Sequence, residues 1–377
     1  MRIVIWTDSY WPEIGGLEVF CLRLIEALQL RGHTCMIVAN SDEKRALRHE
    51  HLQGTEIHRF AFYETLNRAD LHAFRLVFEE CESVISAFAP DLIHLNVCSK
   101  GLLSFALLQR RNRRSIVMTL HDRHIYKNPN ALSREVFAAS DAIVAVSEFI
   151  HRDALESMPE LQGRVRTILN ALPEPREKPA PLPTEPRILV IGRLVRVKGI
   201  DIAIEAFARI KDEFPSVSLT VAGDGHLRHD LRELAETHGV GTRVEFLGWQ
   251  HPDTINDLIN RHSLVITPSR WMEPFGLVAL QAAQMGRSVC ASNCGGLPEI
   301  VRDGATGWLF ERENAQDLAR ILKKLLQEPE HLHAMGWRAH EHVMKHFGFS
   351  DFVTAYESLF CEVLESFHGP QSKGQAS

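Results

Sequence analysis

No stretch of about eighteen consecutive apolar residues occurs in the 377 residues, so nothing reads as a membrane span. The apolar run of the opening MRIVIWTDSYW is too short for a secretion signal and already reads as a strand. Positive charge is not in excess. The net charge is −6, which implies no general attraction to nucleic acid. The dinucleotide fingerprint G-x-G-x-x-G is absent, which argues against an oxidoreductase. No lysine site for a pyridoxal cofactor is evident. The seven cysteines (21, 35, 81, 98, 290, 294, 361) are scattered, odd in number and mostly in apolar segments, as reduced cytosolic thiols are. Cys290 and Cys294 have no second pair, so a zinc site is not indicated and no metal is expected.

What is present is a globular composition, 45 % hydrophobic and 24 % charged, in a chain too long for one ordinary core. Strands at 2–7, 35–39, 56–60, 91–95, 115–120, 142–146 and 166–169 alternate with helical patterns, among them 71–88, 101–109, 132–139 and 148–157. Ser147 is a good N-cap for the last of these. The pattern then breaks, because six of the seventeen prolines fall within 173–186. That density excludes a sheet strand and predicts an extended, semi-rigid linker. Alternation restarts with strands at 187–191, 218–222, 244–247, 264–267, 288–291 and 308–310. Helices are expected at 199–214, 226–238, 254–261, 276–286 and 315–326, with two more at about 330–346 and 350–366 and a frayed tail of ten residues. The reading is α/β: two doubly wound parallel-sheet domains facing across a cleft lined by loops at strand C-terminal ends.

The stretch Ser269–Gln281, SRWMEPFGLVALQ, organises the second half. A strand ends at Pro268, Glu273 follows, Pro274 sits where an N1 proline belongs, and Gly276 onward reads as an apolar helix. Free N–H groups at such a helix start suit phosphate oxygens, and Glu273 suits hydroxyl groups beyond them. Phosphates beside hydroxyls describe a nucleotide-sugar. The same residues also read as a plain capped helix start.

Other loops offer related chemistry. Gly15-Gly16 lets backbone approach a diphosphate at a helix start, or makes a simple tight turn. Arg193 and Lys198 flank a short loop and could clamp a diphosphate, or be solvated charges. His121 ends a strand and reads as either a site residue or a structural histidine; its H-x-x-H with His124 lies on a loop and does not specify a metal. Gly223-Asp224-Gly225 and Gly295-Gly296-Leu297-Pro298-Glu299 are further strand-end turns. Arg110, Arg111, Arg113 and Arg114 read as the solvated end of a helix, with a lipid-surface contact as the alternative.

In this order the motifs resemble the retaining GT-B glycosyltransferases of glycosyltransferase family 4. The matching residues are Gly15-Gly16-Leu17-Glu18, His121-Asp122, Gly192-Arg193…Lys198-Gly199, Gly223-Asp224-Gly225, Glu273-Pro274-Phe275-Gly276-Leu277 and Gly295-Gly296-Leu297-Pro298-Glu299. The resemblance implies an acceptor domain over 1–171, the linker 172–186, a donor domain over 187–346, and a last helix, 347–367, crossing back to the first domain. It implies transfer of a hexosyl group with retention, from a UDP- or GDP-sugar to a saccharide or lipid-linked acceptor. No metal is needed in that reaction. The setting is cytoplasmic, with a peripheral membrane contact left open. Carried over residue by residue, Gly16, Arg193, Lys198 and the backbone of Gly276 and Leu277 meet the donor diphosphate, and Gly15, Gly223 and Phe275 count among the donor-binding residues. Glu273 and His121 serve the transferred sugar, and Trp249 borders the base.

One departure stands out. The family has a second Glu eight residues after the first, on the ribose hydroxyls, and here that residue is Gln281. Eight helical residues span ~12 Å, a fair sugar-to-ribose reach. Gln keeps one acceptor without the charge. A nucleotide-sugar-binding module with little transfer activity is therefore the alternative from another class.

Overall fold

The computed structural model of the chain describes residues 1–11, 15–41, 49–52, 54–96 and 101–368. The chain divides into two compact units, Met1–Asn170 with the chain from Ser350 onward, and Ala171–Phe349.

Among the described residues the first unit is built on eight strands: β1 (Arg2–Thr7), β2 (Thr34–Asn40), β3 (His49–Leu52), β4 (Thr55–Phe60), β5 (Leu92–Asn96), β6 (Ser115–Leu120), β7 (Ala142–Ala145) and β8 (Val165–Thr167). Their order is β3-β4-β2-β1-β5-β6-β7-β8. The pairs are parallel except β3 with β4. That antiparallel hairpin corrects the all-parallel expectation; HEHL carries no apolar alternation from which to read a strand. Strands β5 and β6 are buried along their whole length because helices cover both sheet faces. Ser147 caps the helix Glu148–Ser157 as expected, its Oγ accepting from the Ile150 N–H at 3.1 Å. A short helix, Phe62–Asn67, was not foreseen. The last helix, Phe349–His368, belongs to this unit and buries Phe352, Tyr356 and Phe360. Phe352 and Tyr356 lie edge-on to Phe20 at 5.7 and 5.8 Å. Each such buried aromatic contributes roughly 1.5–3 kcal/mol.

The second unit holds β9 (Arg187–Ile191), β10 (Ser218–Ala222), β11 (Val244–Gly248), β12 (Leu264–Thr267), β13 (Ser288–Ser292) and β14 (Gly307–Phe310), in the order β11-β10-β9-β12-β13-β14. The helix Ile200–Ile210 buries Ile200, Ile204, Phe207 and Ile210 against this sheet, the spacing of one helical face.

The proline-rich segment is not a free connector. It lies on the second unit, where its carbonyls accept hydrogen bonds. Arg287, 1 % exposed, donates to the carbonyls of Pro181, Asn260, His262 and Met285. Gln284 donates to the Leu172 carbonyl at 3.1 Å. Prolines donate no N–H, so their segment offers acceptors to a buried guanidinium. Burial lowers the Arg287 pKa to about 10, and no carboxylate is needed to hold it.

Among the described residues no helix is long and apolar enough to cross a membrane. The arginine cluster is paired: Arg110 with Glu135 at 2.6 Å, Arg111 with Glu82 at 2.8 Å and Arg113 with Asp141 at 3.5 Å. Cys21, Cys35, Cys81, Cys290 and Cys294 are buried free thiols, and Cys361 is exposed. Cys98, loop residues 97–100 and the expected frayed tail beyond 368 lie outside the described residues.

Candidate active site

The strand order reverses between β9 and β12 in the second unit and, the edge hairpin β3–β4 aside, between β1 and β5 in the first. At such a point neighbouring loops lead to opposite faces and leave a crevice at the strand C-terminal ends. In the second unit those loops carry Lys198 and Glu273.

Lys198 ends a short 3-10 turn, Arg196–Lys198. Gly199 follows with φ +65°, and a Cβ there would stand 2.0 Å from the Pro268 carbonyl oxygen. Only glycine lets the two loops meet so closely. Arg270 locks the same approach: it holds Asp201 through two 2.6 Å bonds, and its N–H donates to the Val197 carbonyl at 2.9 Å. Lys198 Nζ consequently reaches Glu273 Oε1 at 2.6 Å. The Ser269 hydroxyl donates to the same oxygen. The third loop is pinned by Gly295, whose φ is +61° and where a Cβ would lie 2.1 Å from the Glu273 carbonyl oxygen. Gly296 N–H donates to that carbonyl at 2.8 Å. Cys294 is sealed beneath, its thiol pushed up to about 11 by burial, which makes it a packing group rather than a nucleophile.

The helix after Glu273 is Leu277–Gln284, with Gly276 as N-cap at φ +118° and no side-chain cap. This corrects the expected N1 role of Pro274, which sits in the turn three residues ahead of the helix. The uncapped start leaves N–H groups for an anion. Phe275 is 2 % exposed and edge-on to Phe347 at 5.7 Å, so its ring is core and only its backbone borders the site. Gln281 lies about one helical turn after Leu277. Its Nε2 donates to Asn256 Oδ1 at 2.8 Å, and Asn256 Nδ2 donates to Glu177 Oε2 at 2.9 Å. A carboxylate only accepts, so Glu177 fixes the polarity of this chain and turns the Gln281 carbonyl oxygen away from Asn256. The Asn256 bond in turn lowers the Glu177 pKa.

Arg193 is exposed, with no ion-pair partner among the described residues. Gly223 N–H donates to the Gly248 carbonyl at 2.8 Å, which joins the loops after β10 and β11. Trp249 follows Gly248 and is 52 % exposed, with its ring edge-on to His251 at 5.9 Å.

In the first unit, Gly15 is the extended N-cap of the helix Gly16–Leu30, again without a side-chain cap. His121 follows β6. Its Nε2 lies 2.7 Å from Asn96 Oδ1, and Asn96 Nδ2 donates to the His94 carbonyl at 3.2 Å. The amide oxygen therefore accepts, Nε2 carries the proton, and Nδ1 is left as an acceptor. Phe20 lies edge-on at 4.5 Å. Removal from water lowers the His121 pKa to about 3, so the ring is neutral at pH 7. Beneath it His94 is fully buried and also lowered to about 3 by burial, with a smaller contribution from His121. His94 Nε2 lies 2.8 Å from Thr119 Oγ1, which lies 3.1 Å from the Tyr356 hydroxyl.

Sequence reasoning gave no role to Ser269, Arg270, Asp201, Asn256, Glu177 or Asn96. Ser269 and Asn96 stand at strand ends and were open to that argument; the others act across long sequence separations and carry no local signal.

Two doubly wound units with glycine-pinned loops at the strand C-termini define the GT-B fold. HepE of Anabaena, solved with UDP and glucose, shares it at a TM-score of 0.76 and 20% identity over 96% of this chain and 99% of that one. Residues 14–174 match Glycosyltransferase Family 4 and residues 173–342 match Glycosyl transferases group 1. The D-inositol 3-phosphate glycosyltransferase of Nocardia farcinica is 31% identical over 318 residues, 75% of this chain and 68% of the relative. Glycogen synthase of Mycobacterium tuberculosis is 27% identical over 99% of this chain and 97% of its own length. The chain belongs to glycosyltransferase family 4, among the GT-B glycosyltransferases.

Proposed function

We propose that this glycosyltransferase moves a hexosyl group from a UDP- or GDP-sugar to a hydroxyl of a saccharide or lipid-linked acceptor, with retention. The observation that carries the reading is the Lys198–Glu273 pair at the point where the second sheet reverses, beside an uncapped helix start. A cation for phosphate, a carboxylate for sugar hydroxyls and free backbone donors are the chemistry a nucleotide-sugar needs. That a relative of the same fold was solved with UDP and glucose supports UDP.

In this reading the second unit binds the donor and the first serves the acceptor. Lys198, Arg193 and the backbone of Gly276 and Leu277 take the diphosphate, with Gly223 at its margin, and in the first unit Gly15 and Gly16 offer an uncapped helix start that suits an anion. Glu273 accepts from hydroxyls of the transferred sugar, and in the first unit His121 offers its neutral Nδ1 as an acceptor for a sugar hydroxyl. Gln281 offers its carbonyl oxygen to the ribose, and Trp249 borders the base. The acceptor oxygen bonds to the anomeric carbon as the bond to the diphosphate breaks, on the same face. The hydroxyl proton passes to a phosphate oxygen of the leaving group. Charge developing on the diphosphate is stabilised by Lys198 and Arg193, so no metal is assigned to the step.

A panel of UDP-, GDP- and ADP-sugars, scored for thermal stabilisation and for slow release of nucleoside diphosphate, tests this. A donor at 100 times its Kd stabilises by ~2.7 kcal/mol. Stabilisation with release supports a transferase and names the donor. Stabilisation with no release, even with acceptors supplied, favours a binding module, the reading that Gln281 keeps in play. No stabilisation by any donor overturns both.

A further inference from the structure

The hairpin β3–β4 carries a second constellation, unrelated to sugar transfer. Its antiparallel register sets His49 opposite His58 and His51 opposite Glu56. Alternate residues of a strand share a face, so these four side chains stand together on one face of the ribbon. Glu56 Oε1 lies 3.0 Å from His49 Nε2 and 2.9 Å from His58 Nε2. The His49 ring stacks on His58 at 4.5 Å and lies edge-on to His51 at 5.0 Å. Ligand atoms of His49, His51 and Glu56 all fall within 4.8 Å of one another. Among the described residues this is the group of three or more histidines, cysteines and carboxylates so gathered.

We propose that His49, His51 and Glu56 bind a divalent transition-metal ion, with Zn²⁺ the natural probe. Two imidazoles and one carboxylate are a set that Zn²⁺ accepts with water in the remaining position, and imidazole suits Zn²⁺, Ni²⁺ and Cu²⁺ over Mg²⁺ or Ca²⁺. His58 keeps its hydrogen bond to Glu56 and so aims the carboxylate, as partners of metal ligands do elsewhere. Without metal the rings of His49 and His58 converge on one carboxylate oxygen; the metal takes the place of the His49 bond and leaves that of His58. Both histidines of β3 become ligands and Glu56 ties them to β4, so the ion clasps the short edge strand to its neighbour. The site needs no residue of the transfer chemistry.

The test is Zn²⁺ titration of the untagged full-length chain by competition with a chromophoric chelator, alongside His51→Ala and Glu56→Gln. Both changes are on an exposed or half-exposed face. One Zn²⁺ per chain, bound at least about tenfold more weakly in each variant, is expected. Zn²⁺ should also raise the thermal midpoint of the wild type and not of the variants. Co²⁺ substitution should give a visible spectrum with no thiolate charge-transfer band. Absence of Zn²⁺ binding, equal affinity in wild type and both variants, or a thiolate band marking cysteine ligation would overturn the proposal.

Discussion

Replacing His94 by glutamine should make the stability of the protein less sensitive to acid. In an unfolded chain His94 titrates near 6.5, and in the fold near 3, because burial excludes the charged ring. Below pH 6.5 the unfolded state takes up a proton that the folded state refuses. The stabilisation from the neutral ring is therefore complete above pH 6.5 and is lost as pH falls toward 3, at about 1.4 kcal/mol per pH unit. Between about pH 8 and about pH 5 this amounts to about 2 kcal/mol. Glutamine keeps a donor toward Thr119 Oγ1 and has no proton to gain. The variant will be less stable at neutral pH, since its amide fits the imidazole's place imperfectly. The gap should then narrow by about 2 kcal/mol on acidification. His121, also lowered to about 3, contributes the same fall to both chains. Guanidinium unfolding of both proteins at the two pH values measures the double difference. A gap that stays constant or widens in acid would refute the claim that His94 is held neutral by burial.

Lys198→Ala should cut diphosphate release at saturating donor by roughly 100- to 1000-fold with circular dichroism unchanged; a near-normal rate would remove Lys198 from the chemistry. Asn256→Ala should release the Gln281 amide from its fixed orientation and raise the donor KM by up to about tenfold while kcat holds; a fall in kcat alone would contradict that role. Gly295→Ala forces a Cβ to within 2.1 Å of the Glu273 carbonyl oxygen and should lower both Tm and turnover. Wild-type behaviour there would mean that this contact does not seat Glu273. Chelation with EDTA should leave diphosphate release unchanged, and a loss restored by Mg²⁺ would put a metal ion into the transfer step.

The fold was legible because its signals are local. Apolar runs such as IVIW and ILVI mark buried strands, and glycines punctuate strand ends at 192, 223 and 295. Those ends lie on one edge of a parallel sheet, so the sequence itself names the candidate loops. Strand β3 was missed because its histidines are placed for one another rather than for a core. Pro274 misled because proline marks both a helix start and the turn ahead of one. The proline-rich break is legible in the sequence, but its docking depends on Arg287, a hundred residues away. Glu273 and Lys198 were each found from their own loops; that they form an ion pair follows from β9 lying beside β12, which no local pattern states.

The helix Phe349–His368 has a consequence for the order in which the protein matures on the ribosome. Its buried Phe352, Tyr356 and Phe360 complete the core of the unit that begins at Met1. Translation must first traverse Ala171–Phe349, which takes about 10–40 s at typical synthesis rates. Over that interval Phe20, His94 and Thr119 lack their last partners, while the later-made unit has every residue it needs. The half of the chain that is synthesised first is thus the half that finishes second, and its unfinished face is the place where a chaperone has most time to act.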